Sequence, residues 1–339
     1  MLANNMIHKN DFDGNLQFGG QAFHHSTGRS GLIESVQSGD LGETFFESID
    51  GVIRAKTEYF EEIHHCLACG SRQLDPLINR NGLKLSTCRQ CGFGMQNPRF
   101  RKERLIDIYK DTYFMDDTYS SPHAKDLDRK KFLYGIQQVR LVRSNIVSAI
   151  DIGCGQGLSL AVYDEAGIPE VFGFETGRYS EDLSSGLKVF KEDFAEVSST
   201  FGGISLITLW DVLEHVHDFK DMLKKIHAVL DSNGVLLIMV PNLMSLASRI
   251  IRSQSPTFSN DHLNYFTENS LSGVLQDQGF TVMSKETVIS EIDNCRNYLE
   301  FKEPYFSEPQ YESAFDWLTP DYIHDNMLGS RLLFIAQKS

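Results

Sequence analysis

The stretch SAIDIGCGQGLSL, residues 148–160, runs from an apolar segment ending at Asp151 into glycines at 153, 155 and 157, and then into a second apolar segment. Glycines at alternating positions after a strand let the backbone turn tightly and approach a ligand closely, where side chains would stand in the way. Outward from that turn, short apolar runs alternate with amphipathic ones: VSAID, LSLAVYDEAG, EVFGFE, LKVF, ISLITLW, FKDMLKKIHAVL and VLLIMVPN. Such alternation predicts strands that cross over through helices, hence an α/β fold with a doubly wound, mostly parallel sheet covered on both faces. The clearest helix is 219–230, where Phe219, Met222, Leu223, Ile226, Val229 and Leu230 fall on one face and Asp218 stands at the cap. DSNG then turns the chain into a strand expected to begin at Val235. A final apolar run, RLLFIA, reads as a last strand returning to the sheet, with residues 290–326 as an insertion before it.

The chain has 339 residues and a formal net charge of -14. That charge disfavours an extended nucleic-acid surface, which needs clustered Lys and Arg. No apolar run approaches the roughly 20 residues that span a bilayer, and the first twenty residues lack an apolar signal core. The expectation is a cytoplasmic protein whose six cysteines are mostly reduced. Residues 1–60 read as an irregular N-terminal arm, 61–100 as a metal-binding module, 101–144 as a helical connector, and 145–339 as the main domain.

Both dinucleotides and S-adenosylmethionine are held at glycine turns of this kind. A nicotinamide site usually reads G-x-G-x-x-G, whereas here Gly153-Cys154-Gly155-Gln156-Gly157 follows Asp151. Glu175, at the end of EVFGFE, offers a carboxylate to ribose hydroxyls and suits either cofactor. KEDF places Asp193 to accept from an adenine amine and Phe194 to flank the ring, which favours the methyl donor. Cys154 has no flanking base or cation to activate it as a nucleophile, and like Cys295 it reads as a small buried filler.

DIGCGQG, FE, EDF, LWDVLEHVHDFKDMLKKIHAVLDSNGVLLIMVPN and DHLNYFTENSLSGVLQDQGF, in that order, resemble the class I S-adenosylmethionine-dependent methyltransferases, particularly the ubiquinone-biosynthesis-type small-molecule enzymes. The resemblance covers about residues 147–289 and implies a seven-stranded Rossmann-like sheet. It also implies that the glycine turn holds the methionine end of the donor, Glu175 the ribose, and Asp193 with Phe194 the adenine. Trp210 and Asp211 would border the methyl-transfer pocket.

Upstream, Cys66-x2-Cys69 and Cys88-x2-Cys91 have the spacing of two knuckles that supply four thiolates to one structural Zn2+. An iron–sulfur cluster is the chemically allowed alternative. His64 and His65 are read as spectators beside a complete four-thiolate set. Followed by NPRF and YKDTYF, the module resembles the N-terminal zinc modules of bacterial methyltransferases of sugar, polysaccharide and secondary metabolism. That likeness implies a module covering the acceptor pocket, with Tyr109 and Tyr113 lining the cleft. No counterpart of the C-terminal domain of the sugar C-methyltransferases is legible.

Methyl transfer is an in-line displacement that rests on alignment, and a hydroxyl or carbon-acid acceptor also needs a base. Asp261-His262 matches the acid–histidine pair of the sugar C-methyltransferases, which makes His262 the first candidate base with Asp261 orienting it. His215, in the loop after the fourth strand, comes second and His217 third, while Asn264 and Tyr265 would position acceptor oxygens. The expected acceptor is a small polar metabolite, a sugar or sugar-bearing intermediate among them. A zinc-ribbon RNA-associated protein and a nicotinamide oxidoreductase are the rival classes.

Overall fold

The computed structural model describes residues 6–13, 45–50, 52–80, 83–105, 122–176, 188–255, 257–259, 261–299 and 315–339. Before the main domain lie β1 (Phe46–Ile49), β2 (Val52–Ala55), β3 (Phe60–Glu61), β4 (Leu74–Arg80), β5 (Leu83–Cys88), β6 (Gly94–Gln96) and β7 (Arg99–Phe100). The main sheet draws on β8 (Ser148–Ile152), β9 (Glu170–Phe174), β10 (Val189–Phe190), β11 (Ile204–Trp210), β12 (Leu230–Pro241), β14 (Phe280–Val288) and β15 (Arg331–Lys338), while β13 (Asn264–Tyr265) pairs elsewhere.

Seven strands lie in the order β10-β9-β8-β11-β12-β15-β14. All neighbours are parallel except β15, which runs antiparallel to both β12 and β14. Every residue of β8 and β11 is buried, as apolar strands covered on both faces must be. Strand alternation sorts β11 between two cores: Ile207 and Leu209 point into one, Leu206 and Trp210 into the other. The order reverses between β8 and β11, the switch point where doubly wound sheets open a crevice at their strand ends.

Helices α1 (Pro122–Val142) and α2 (Leu158–Glu165) close one face through Phe132, Ile136, Val139 and Tyr163. The short helix α3 (Phe194–Val197) and the longer α4 (Phe219–Val229) lie on the other face, the Asp218 carboxylate capping α4 by accepting from the Asp221 amide at 3.2 Å. Five large apolar side chains of α4 are buried, each worth about 1.5–3 kcal/mol. Helix α5 (Leu246–Ile251) follows β12, α6 (Glu268–Asp277) follows β13, and α7 (Ile292–Leu299) and α8 (Pro320–Asp325) lie within the expected insertion. Among the described residues, no helix is long and apolar enough to cross a membrane.

Two expectations need correction. Strand β12 begins at Leu230, not Val235: Leu230 pairs with Ile204, and the register slips before Leu206, so DSNG bulges within the strand. The described parts of the N-terminal arm are built into the fold. Phe12 is fully buried with its ring 5.4 Å from Tyr134, and the β1–β2 hairpin sets Phe45 and Phe46 against Phe60 and Phe100.

Candidate active site

The glycine turn leaves β8 with Gly153, Gly155 and Gly157 all in the left-handed region, at φ of 74°, 52° and 77°. A Cβ on Gly153 would lie 2.6 Å from Val212 Cγ2, so that position must be glycine for packing as well as for φ. Nothing lies within 4 Å of a Cβ built on Gly155. The Gly155 amide donates to Glu175 Oε2 at 3.0 Å, which brings the carboxylate at the tip of β9 to the open side of the turn. Open backbone with an adjacent carboxylate fits the amino-acid and ribose parts of S-adenosylmethionine.

Asp151 lies beneath this opening and does not face it. It is 2% exposed, one oxygen accepts from the Ser159 hydroxyl, and the other accepts from Thr208 Oγ1 at 2.6 Å. Burial pushes its pKa up to about 7 against those two hydrogen bonds. Cys154 packs against Gly173, where an added Cβ would come within 2.6 Å of its sulfur, and burial pushes its thiol far above the ordinary range. It is the inert filler that the sequence suggests.

Asp193 Oδ1 accepts from the Ala195 amide at 2.8 Å and caps α3. The Phe194 ring, 1% exposed, stands edge-on to Phe174 at 5.2 Å in an aromatic cluster, so it underlies the site and does not flank an open ring pocket. Trp210 turns toward α1: Nε1 donates to the Tyr163 hydroxyl at 2.7 Å, the ring lies 5.1 Å from Phe132, and a Cβ on Gly135 would clash with it at 2.5 Å. It too is a packing residue here. Asp211, at φ 53°, breaks β11 and accepts from Arg331 Nε at 2.6 Å.

The loop after β11 carries Glu214, His215 and His217, and the segment leading into β13 carries Asp261 and His262. The two imidazoles meet edge to face, 4.8 Å apart. Asp261 does not orient His262 as expected. Its Oδ2 lies 3.6 Å from His215 Nδ1, and the same nitrogen donates to the Asp261 carbonyl at 3.0 Å. His262 Nδ1 instead donates to the Thr257 carbonyl at 2.9 Å. Burial opposes a charge on His215, yet the combined pull of Asp261, Glu214 and Asp211 raises its pKa above the ordinary imidazole value. Burial and the adjacent His215 push His262 down to about 4. The better proton acceptor near neutral pH is therefore His215.

Glu214, not singled out by sequence, is 1% exposed, and burial pushes its pKa up to about 8. The signal was its place in LEHV, beside the histidine. Asn264 is a staple: its amide donates to the Leu213 and Val216 carbonyls at 2.9 and 2.8 Å. The Tyr265 hydroxyl donates to the Ser259 carbonyl at 3.1 Å, and His217 lies at the edge, its Nε2 3.7 Å from Glu61 Oε1. Tyr109 and Tyr113 lie outside the described residues.

The four cysteines of the upstream module converge. Cys66 and Cys91 sulfurs are 3.6 Å apart, as are those of Cys69 and Cys88. That is far beyond the about 2 Å of a disulfide and close to the about 3.8 Å edge of a tetrahedron with 2.3 Å zinc–sulfur bonds. Each knuckle closes the same way, with Gly70 donating to the Cys66 carbonyl at 2.8 Å and Gly92 to that of Cys88 at 2.9 Å. The set fits a zinc ion.

A family model described as a methyltransferase domain matches residues 113–285, just over half of the chain. The chain belongs to the methyltransferase domain family. The C-methyltransferase NovU of Streptomyces niveus is 23% identical over 159 residues, 45% of this chain, and the match spans only 36% of NovU. Among solved structures, a SAM-dependent methyltransferase from Archaeoglobus fulgidus is 18% identical with a TM-score of 0.43, the alignment covering 62% of this chain and 94% of that one. The plantazolicin methyltransferase BpumL, solved in complex with SAH, is 15% identical with a TM-score of 0.44 over 70% of this chain and 97% of its own. The chain carries a methyltransferase domain, and the nicotinamide oxidoreductase reading is set aside.

Proposed function

We propose that this methyltransferase moves the methyl group of S-adenosylmethionine to an oxygen or carbon nucleophile of a small polar acceptor, with sugars and sugar-bearing intermediates as the first class to test. One observation carries the reading. His215, its imidazole pKa raised and paired with Asp261 from the segment before β13, stands in the loop after β11, whose Val212 packs on the glycine turn. A base at that end of the sheet suits an acceptor whose proton must leave as the methyl arrives. NovU being a C-methyltransferase supports a carbon nucleophile in the acceptor.

When bound, the donor supplies an electrophilic methyl on a sulfonium. The turn at 153–157 and Glu175 would hold its amino-acid and ribose parts, Asp193 its adenine, and His215 Nε2 would take the acceptor proton while Asp261 holds the ring. Cys66, Cys69, Cys88 and Cys91 would hold a structural zinc. The protein is expected to work as a small-molecule enzyme without a nucleic-acid partner, and in the cytoplasm.

Radiolabelled donor and an acceptor panel test the reading. Glu175→Ala should weaken donor binding tenfold or more, because a carboxylate lost from the ribose site leaves hydroxyls unpaired. His215→Ala should leave donor affinity within twofold and cut turnover by about a hundredfold or more. Unchanged turnover in His215→Ala would remove that residue from the chemistry.

A further inference from the structure

Glu214, His215 and His262 come from two separate segments, yet one donor atom of each lies within 4.8 Å of the other two. Neither carboxylate oxygen of Glu214 has a hydrogen-bond partner, although the side chain is 1% exposed. A buried carboxyl without a hydrogen-bond partner is expensive, and a bound cation would let it carry its charge there. His215 Nε2 lies 4.0 Å from Glu214 Oε1.

Both imidazoles commit Nδ1 to a backbone carbonyl, His215 to that of Asp261 at 3.0 Å and His262 to that of Thr257 at 2.9 Å. A carbonyl only accepts, so Nδ1 carries the hydrogen in each ring and Nε2 carries the lone pair. Metal-ligating histidines have this outer hydrogen bond, which sets the tautomer and aims the free nitrogen.

We propose that Glu214, His215 and His262 bind a divalent first-row transition ion through one carboxylate oxygen and two imidazole Nε2 atoms. Two nitrogens and one oxygen suit Mn2+, Fe2+, Co2+, Ni2+ or Zn2+ better than Mg2+ or Ca2+, which favour all-oxygen shells. Around an ion at about 2.1 Å from each ligand, neighbouring donors stand roughly 3–3.5 Å apart. Loading therefore draws the present cluster together by an ångström or so, and His215 and His262, both only half-buried, have room to move.

The site goes beyond the base assigned to His215. Three protein ligands leave coordination positions open at the end of β11, on the side of the sheet where Val212 covers the glycine turn. An acceptor hydroxyl bound there loses its proton to water because the ion lowers its pKa. In the loaded protein both Nε2 lone pairs belong to the ion, so the base role of His215 Nε2 belongs to the ion-free protein and a metal-bound hydroxyl gives up its proton to water instead.

The test uses the whole 339-residue chain with its four-cysteine site kept zinc-loaded, titrated with Mn2+ alone and followed by electron paramagnetic resonance. Mn2+ is chosen because thiolate sites favour softer ions. One Mn2+ should bind per chain, with affinity falling tenfold or more in His262→Ala and in Glu214→Gln. Donor-product affinity, measured on the same samples, reports that each variant is folded and tests the methyl-transfer reading separately. Wild-type Mn2+ affinity within twofold of His262→Ala, with donor affinity intact in both, would overturn the site. Loss of donor binding with Mn2+ binding intact in the wild type would overturn the methyl-transfer reading and leave the metal site standing. Should Glu214→Gln lose donor binding, His262→Ala alone decides.

Discussion

Asp151 ends β8 beside the glycine turn, but its oxygens are taken by Ser159 at the start of α2 and Thr208 on β11. It ties strand, turn and helix together from below. Its folded pKa of about 7 lies above the ordinary carboxylate value because of burial. An acid shifted upward contributes its stability while protonated, fully below about pH 4, and loses it as pH rises through 7. Asn at this position does not titrate. Asp151→Asn should therefore gain on the wild type between pH 5 and pH 8, by on the order of a few kcal/mol, as read from urea midpoints at the two pH values. A stability difference that stays constant with pH would show that Asp151 remains ionised throughout. Trp210 teaches the same lesson of place. Leu209 points to the α4 side, so pleating sends Trp210 to the α1 side, where its ring fills the space over Gly135.

Between elements, Arg99 is the main clamp. Buried on β7, its Nη1 donates to the Leu263 carbonyl and to Asn264 Oδ1 at 3.0 and 3.1 Å, and its Nη2 donates to the His217 carbonyl at 2.8 Å. One planar fork thus joins the cysteine-bearing region to both loops that hold the histidines, a geometry that a lysine ammonium cannot span. Arg99→Lys should destabilise by about 2–4 kcal/mol, since carbonyls and Asn264 are left short of donors in a dry place. The urea midpoint at unchanged slope measures it, and a shift worth less than about 0.5 kcal/mol would mean that water replaces the fork. At this scale the sequence was most readable where periodicity is local. The apolar spacing of α4, the buried runs of β8 and β11 and the paired cysteine knuckles all declare themselves within a few residues. The partner of Asp261 did not: adjacency in sequence pointed to His262, but successive side chains diverge in a loop, and the carboxylate meets a histidine from another segment. Phe194 misled for a similar reason, because an aromatic after a strand can cover a ligand or fill a core, and only the neighbouring Phe174, Phe190 and Phe201 decide which.

Across the whole molecule, the cysteine-bearing region and the sheet domain share one core. Phe93 packs against Phe219 and Phe266 at 5.5 and 5.3 Å, and Lys220 Nζ donates to the Ala68 carbonyl. β13, from the far side of the sequence, completes the upstream sheet by pairing Asn264 with Met95 and Tyr265 with Gly94. A side chain on Gly94 would force its neighbours to shift, since a Cβ would lie 2.8 Å from Leu243 Cδ2 and 3.0 Å from Tyr265 Cβ. The strand that follows His262 is thus held by the same hairpin that the four thiols close. The glycine turn and Glu175 are anchored differently, through the Phe174 carbonyl and the β8–β9 pairing. A Cys88→Ser/Cys91→Ser variant should accordingly loosen β5, β6 and β13 and displace His262 while sparing the donor site. The expected result is donor affinity within about threefold of wild type with methyl transfer down tenfold or more, because binding and alignment rest on different elements. Donor affinity and turnover falling in step would mean that the thiol cluster supports the whole sheet, and that the two halves of the site stand or fall as one cooperative unit.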